Sequence, residues 1–304
     1  MYFLKRILFA VPLLLVISAL AFWLVHIAPG GPFDSERKPA SPQVERNLQA
    51  KYHLDEPIWK QYVRYLGDLV HGDFGVSLKY LNHSVNDIIA DGLPVSMVLG
   101  GLAFCFAMGV GIPLGFFSAA RRGGWPDHTG SFLAVLAVCI PSFVLAPFLI
   151  LIFAMKLKWF PVGLWGSPWH MILSPIVLGA YFAGQIARIL REAMLTAAQS
   201  EFVTAARAKG LGETELLLKH ALRIALLPVV SYTGPMLADL LTGSFIVENI
   251  FQIPGIGVFL VNSSLNCDYT VVVGLSLLYA ILLIGLNLAV DFTYTLLDPR
   301  VKYE

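Results

Sequence analysis

A chain of 304 residues that is 57% hydrophobic and only 13% charged falls well short of the ~25% charged residues of a soluble domain, and its composition suits a bilayer. The formal net charge of +1 excludes a strongly basic nucleic-acid-binding surface, so the information lies in where the Lys and Arg residues sit along the chain. Three cysteines, Cys105, Cys139 and Cys267, without C-x-x-C spacing, exclude a thiol redox or zinc motif and are expected to be small core residues.

Lys5 and Arg6 precede an apolar run from Ile7 to about Ala28. The run is longer than a signal-peptide core and no small-x-small cleavage site follows it, so it predicts an uncleaved first span over 1–28. Further apolar runs long enough to cross ~30 Å of hydrocarbon as helices occur at about 95–119, 131–155, 171–190, 225–247 and 271–296. The predicted class is an all-α integral membrane protein with six transmembrane helices. It comprises the first span, an extracytoplasmic segment over 29–94, and a five-helix core over 95–304 that contains a polar loop at 191–224.

The segment at 29–94 opens on Pro29-Gly30-Gly31-Pro32, which cannot continue a helix. Helical spacing at Val44–Tyr52 and Ile58–Val70 predicts two helices, followed by a turn at His71-Gly72-Asp73-Phe74-Gly75. A shorter helix is expected behind Ser84, with Asp87 in its first turn.

The Lys and Arg residues orient the six spans. Lys5, Arg6, Arg121, Arg122, the six from Arg188 to Arg223, Arg300 and Lys302 all fall on one side, which the positive-inside rule makes cytoplasmic. Both termini are therefore expected in the cytoplasm.

Two groups of residues stand out as candidate sites. The stretch Ser200 to Pro228 carries Glu201, Arg207, Lys209, Glu213, Glu215, Lys219 and Arg223, and inserting seven charges at roughly 3 kcal/mol each would cost about 20 kcal/mol, which keeps it outside the membrane. It reads as a short helix from Glu201 to Lys209 with Ala205, Ala206 and Ala208 on its surface, a glycine break with Gly210 as left-handed cap, and a second helix from Glu213. In that second helix Lys219, His220 and Arg223 are expected towards the C-terminal end. Such an island is either a docking element for a soluble motor or a solvated hairpin. Within the spans, Asp239 either faces a translocation path, together with Ser142 and Ser244, or hydrogen-bonds between helices, and Gln185 and Asn287 are expected to bridge helices. The sequence contains no G-x-x-x-x-G-K-[ST], H-E-x-x-H or G-x-S-x-G, so any ATP that energises it must be bound by another chain.

At Thr204-Ala205-Ala206-Arg207-Ala208-Lys209-Gly210 the chain resembles the E-A-A-x-x-x-G loop of the integral membrane permeases of ABC importers, with Thr204 in place of the glutamate. Ala28-Pro29-Gly30, Lys51-Tyr52-His53-Leu54, Gly72-Asp73-Phe74-Gly75, Ile140-Pro141-Ser142-Phe143, Pro254-Gly255-Ile256-Gly257 and Asp298-Pro299-Arg300 extend the likeness to the peptide and nickel branch. The first of the two permeases of bacterial oligopeptide importers is the most similar. The resemblance implies a type I importer subunit in the bacterial inner membrane that is not itself an enzyme. Its implied partners are a second homologous permease, two cytoplasmic ATP-binding subunits that hold ATP and Mg, and an extracytoplasmic peptide-binding protein, with transport by alternating access. It also implies ATPase coupling through Glu201, Thr204, Ala205, Ala206, Arg207, Lys209 and Gly210. Dipeptide, glutathione or nickel import, an ion-coupled secondary transporter working through Asp239, and an intramembrane enzyme are the alternatives.

Overall fold

The computed structural model describes residues 2–27, 55–80, 83–241 and 245–297, the side chains of 2–7 and 290–297 excepted. All regular elements among them are helices, apart from an isolated antiparallel bridge between Val76 and Ser84. Helix α1 (Tyr2–Ile27) is the first span and α2 (Ile58–Val70) matches the helical spacing of its sequence. The helix expected at 44–52 lies outside the described residues.

Helix α3 (Val85–Ala120) opens on a reciprocal box: the Ser84 amide donates to Asp87 Oδ2 at 2.9 Å, and the Asp87 amide donates to Ser84 Oγ at 3.1 Å. The short helix expected behind Ser84 does not stop at Pro94 but runs on as the second span, which begins at Val85 rather than 95. A proline removes one backbone donor, and a long apolar helix absorbs that as a local distortion. At 36 residues, or about 54 Å, α3 outreaches the hydrocarbon it must cross.

The third span is broken. Helices α4 (Trp125–Cys139) and α5 (Ser142–Lys156, π-wound from Ile150) meet at 107° around Ile140-Pro141. Pro141 disfavours helical backbone at the residue before it, and Ile140 accordingly takes φ −85°, ψ 115°. A 3₁₀ turn (Pro168–Met171) leads into α6 (Leu173–Ala197), and α7 (Glu201–Ala208) follows. Helix α8 (Glu213–Leu241) carries a π-wound stretch at Leu216–Ala221. Helices α9 (Phe245–Ile250), α10 (Ile256–Leu265) and α11 (Tyr269–Leu297) complete the chain. Among the described residues five helices are long and apolar enough to cross a membrane, six when the bent α4–α5 pair is counted as one span.

The chain divides into two compact units, one taking residues up to Ser96 together with Pro254–Ala289, the other Met97–Ile253 with Val290–Leu297. In the first, Val85 and Ile88 of α3 pack on Ile256, Val271, Leu275 and Leu278. Asp268, fully buried, takes hydrogen bonds from Ser77 Oγ at 2.5 Å, Leu78 N at 3.1 Å and Lys79 N at 3.3 Å, tying the loop after α2 to the start of α11. Three donors on one buried carboxylate replace the water it gave up. In the second unit α3 and α6 approach closely. A Cβ on Gly111 would stand 2.7 Å from Ala183 O and one on Gly115 would stand 2.6 Å from Ala187 O, so this G-x-x-x-G stripe admits no side chain.

The expectation of core cysteines is corrected: Cys105 and Cys139 are exposed and Cys267 half-buried, all three as free thiols. In a span, the outward surface is itself apolar, so a small hydrophobe has no need of the interior. Gln185 donates to Tyr181 Oη at 3.2 Å within its own helix rather than bridging to a neighbour.

Candidate functional site: the polar island after the fourth span

Helix α6 closes at Ala197, and Ser200 starts α7 in extended conformation, φ −68° and ψ 150°. Its Oγ turns back to Ala197 O at 2.7 Å instead of capping α7, leaving Glu201 as the acidic group in the positive first turn. At the far end the Lys209 amide donates to Ala205 O and the Gly210 amide to Arg207 O, with Gly210 at φ +85°. That left-handed residue reverses the chain into Leu211 and Gly212, from which α8 starts.

Val203 and Ala206 of α7 and Leu216 of α8 are buried together, with Leu211 packed against them. This miniature core holds the two helices as one body. Of the sequence-predicted residues, Glu201, Thr204, Ala205, Arg207, Lys209 and Gly210 are exposed, whereas Ala206 faces inward, so the three alanines do not share one surface as expected. The 3.6-residue period puts position 206 on the same face as 203. Thr204 Oγ1 donates to Ser200 O at 3.1 Å, so the residue standing in the glutamate's place is tied to its own helix.

Arg207 bridges the two helices, with Nη2 2.9 Å from Glu213 Oε1 and Nε 3.3 Å from Oε2. Both side chains are about half exposed, so the pair adds well under ~1 kcal/mol and sets geometry more than stability. Arg207→Glu is therefore expected to leave the melting temperature within a few degrees of wild type. It would splay α7 from α8 by setting two carboxylates against each other, and the swap Arg207→Glu with Glu213→Arg is expected to restore the lost function. If Arg207 instead contacts a partner directly, the swap fails to restore, and a transport assay separates the two.

The second helix differs from expectation. It does not end near Arg223: Lys219, His220 and Arg223 lie early in α8, which continues into the fifth span. Lys219 pairs with Glu215 one turn back at 2.7 Å, so this lysine answers an acidic side chain rather than a helix end.

Sequence reasoning missed the ion pair that anchors α6 just before the island. Asp127, 5% exposed in the first turn of α4, receives Arg191 Nε at 2.6 Å and Nη2 at 2.9 Å in a two-pronged arrangement. The Gly123 amide at 2.9 Å and Ser131 Oγ at 3.3 Å complete its shell. The available signal was an aspartate four residues ahead of a predicted span start, opposite an arginine at the end of another.

Of the translocation candidates, Ser142 and Asp239 do not share the cavity at the bend. Ser142 begins α5 at the 107° bend and lines a cavity of about 380 Å³ with Cys139, Val177, Leu178, Tyr181 and Phe182. Asp239 occupies an exposed position on α8 and is not among that cavity's lining residues, and Ser244 lies outside the described residues.

A six-span helical bundle with a charged two-helix island after the fourth span defines the class of ABC-importer permeases. A chain described under "Inward facing conformations of the MetNI methionine ABC transporter" superposes with a TM-score of 0.56 over 71% of this chain and 97% of that one, at 19% identity. The chain belongs to the family of binding-protein-dependent transport system inner membrane components, whose model matches residues 111–303, and the family's N-terminal model matches residues 1–100. Among its relatives, the oligopeptide transport system permease protein OppB of Haemophilus influenzae is 44% identical over 301 residues, covering 98% of both chains. That of Escherichia coli K12 is 44% identical over 304 residues, covering 99% of both. The dipeptide transport system permease protein DppB of Bacillus subtilis is 42% identical over 301 residues, covering 99% of this chain and 97% of its own. Membership of this family sets aside the ion-driven transporter and the intramembrane enzyme.

Proposed function

We propose that this chain forms half of the membrane pathway of an ATP-driven peptide importer, receiving force through α7. The observation that carries the reading is the construction of the island: a one-turn core of Val203, Ala206 and Leu216 stiffens it, while Ala205, Ala208 and Lys209 remain exposed as a small-residue face with a cationic edge. Small side chains let a partner's backbone approach closely. Peptides are the cargo class named for relatives at 44% and 42% identity across nearly the whole chain. Related permeases named for oligopeptides and dipeptides match about equally, so peptide length is left to the binding protein.

A second homologous permease completes the pathway, two ATP-binding subunits hold ATP and Mg and dock on the two permeases, and an external binding protein delivers the peptide. The twelve Lys and Arg residues counted above support an arrangement with both termini and the island in the cytoplasm. Closure of the motors would then exchange inward-facing and outward-facing arrangements of the spans, with Ser142, Asp239 and Ser244 as candidates along the path.

Ala205→Arg tests docking without touching the island's interior. ATP-dependent uptake of a labelled tripeptide by the reconstituted complex is expected to fall about tenfold or more, the effect of ~1.4 kcal/mol lost at one interface. Recovery of the ATPase on affinity purification should fall in parallel. Wild-type uptake in this variant would remove α7 from the coupling site.

A further inference from the structure

We infer that the loop joining α5 to α6, residues 157–167, lies with the 3₁₀ turn behind it in the headgroup layer of the membrane and recruits anionic phospholipids. The depth follows from the fourth span. Trp169 is the second residue of the apolar run Pro168–Ala197, and no Asp, Glu, Lys or Arg separates it from Arg188. Nineteen residues of helix cover about 29 Å, the thickness of the hydrocarbon. With exposed Arg188 at one surface, Trp169 stands at the other.

The loop stays at this level because it folds back on the end of α5. The Trp159 amide donates to Phe153 O at 2.9 Å, the Phe153 and Trp159 rings lie 5.8 Å apart, and the Phe160 and Trp169 rings lie 6.4 Å apart. Ala154, Lys158, Trp159, Phe160, Trp169 and His170 accordingly share the wall of one cavity of about 560 Å³. The middle of the loop is pinned as well. The Leu164 amide donates to Phe251 O at 2.7 Å, and a Cβ on Gly163 would stand 2.5 Å from that same oxygen.

Three observations identify what covers this surface. Trp159 and Trp169 are 61% and 62% exposed, and tryptophan, a broad apolar ring with a single donor, favours the boundary between hydrocarbon and water. The patch also continues the exposed apolar face of α5 at Phe148, Leu151 and Met155, interrupted only by Lys156 and Lys158. A docking face for a water-soluble partner would be set off from the lipid-facing side by a polar rim. Finally, the charge is one-sided. No Asp or Glu occurs between Asp127 and Glu192, and Lys156 and Lys158, both exposed, make no ion pair among the described residues. Two free ammonium groups beside an aromatic surface at headgroup depth attract phosphate oxygens, and lipids of net negative charge most strongly. The inference needs only that α6 spans a bilayer, and it holds whatever the cargo.

Quenching of tryptophan fluorescence by brominated lipids, with the full chain in phosphatidylcholine vesicles, tests it. The signal of Trp159 and Trp169 is taken as the difference between wild type and the variant Trp159→Phe with Trp169→Phe. Bromines high on the acyl chains should quench that signal more than bromines near the chain ends. Brominated phosphatidylglycerol should act with an affinity about tenfold above that of brominated phosphatidylcholine, the effect of two lysines on an anionic headgroup. Lys156→Gln with Lys158→Gln should erase that preference and leave quenching by phosphatidylcholine in place. Quenching confined to the other tryptophans, stronger quenching from the chain ends, equal affinity for the two lipids, or a preference that survives the lysine replacements would overturn the proposal. Loss of the quenching when the external binding protein is added would also overturn it, assigning the surface to that protein.

Discussion

Arg191→Ala is expected to destabilise the subunit by about 3–5 kcal/mol, because it strands Asp127 at 5% exposure with its charge-pairing partner gone. The remaining donors, the Gly123 amide and Ser131 Oγ, are neutral and do not balance a buried carboxylate. Arg191→Lys should recover little, since an ammonium cannot reproduce the paired bonds from Nε and Nη2. Replacing both partners with apolar residues of similar volume should recover most of the loss, for then neither charge is stranded. Thermal unfolding of the purified protein in detergent reads the differences. A shift in Arg191→Ala worth less than about 1 kcal/mol would mean that water reaches Asp127 and the pair is not an anchor.

Gly210→Val is expected to abolish most ATP-driven uptake while leaving the spans folded. A Cβ at this position meets nothing within 4 Å, so the substitution works through the backbone alone: φ of +85° is strained by roughly 1–2 kcal/mol for a residue with a side chain, and more for a β-branched one. The chain relieves that strain by changing the angle between α7 and α8, and α7 then points away from the ATP-binding subunit proposed to dock on it. Gly210→Asn should keep an intermediate activity, since asparagine tolerates the left-handed region better. Uptake at the wild-type rate in Gly210→Val would show that the reversal at this residue does not orient the coupling surface.

The architecture was legible in the sequence wherever hydrophobic runs were long and bounded by charge. All six spans and the island follow from the cost of burying ionisable groups, and Gly210 as a left-handed cap follows from glycine's missing Cβ. Helix continuity was not legible. The periodicity around Pro94 and around Lys219 to Arg223 reads as element ends, yet helices pass through both, because a long apolar helix carries a proline or a charged turn once its ends are anchored. Asp127–Arg191 and Asp268–Ser77 join residues 64 and 191 positions apart, and no local pattern reports such pairings. Nor does an apolar pattern say which side of Ala206 faces the core, since that depends on Leu216 across the glycine turn.

The continuity of α8 has a mechanical consequence. From Glu213 to Leu241 the backbone is helical for 29 residues, about 43 Å, with the π-wound stretch at Leu216–Ala221 widening the coil without parting it. Pro228 and Pro235 each remove one backbone hydrogen bond, yet the coil runs through both, so the element acts as a lever arm with two places where it can bend. Because Val203 and Ala206 are clamped to Leu216 near its end, tilting α7 exerts torque on α8, and the two prolines set where along the helix that torque turns into bending.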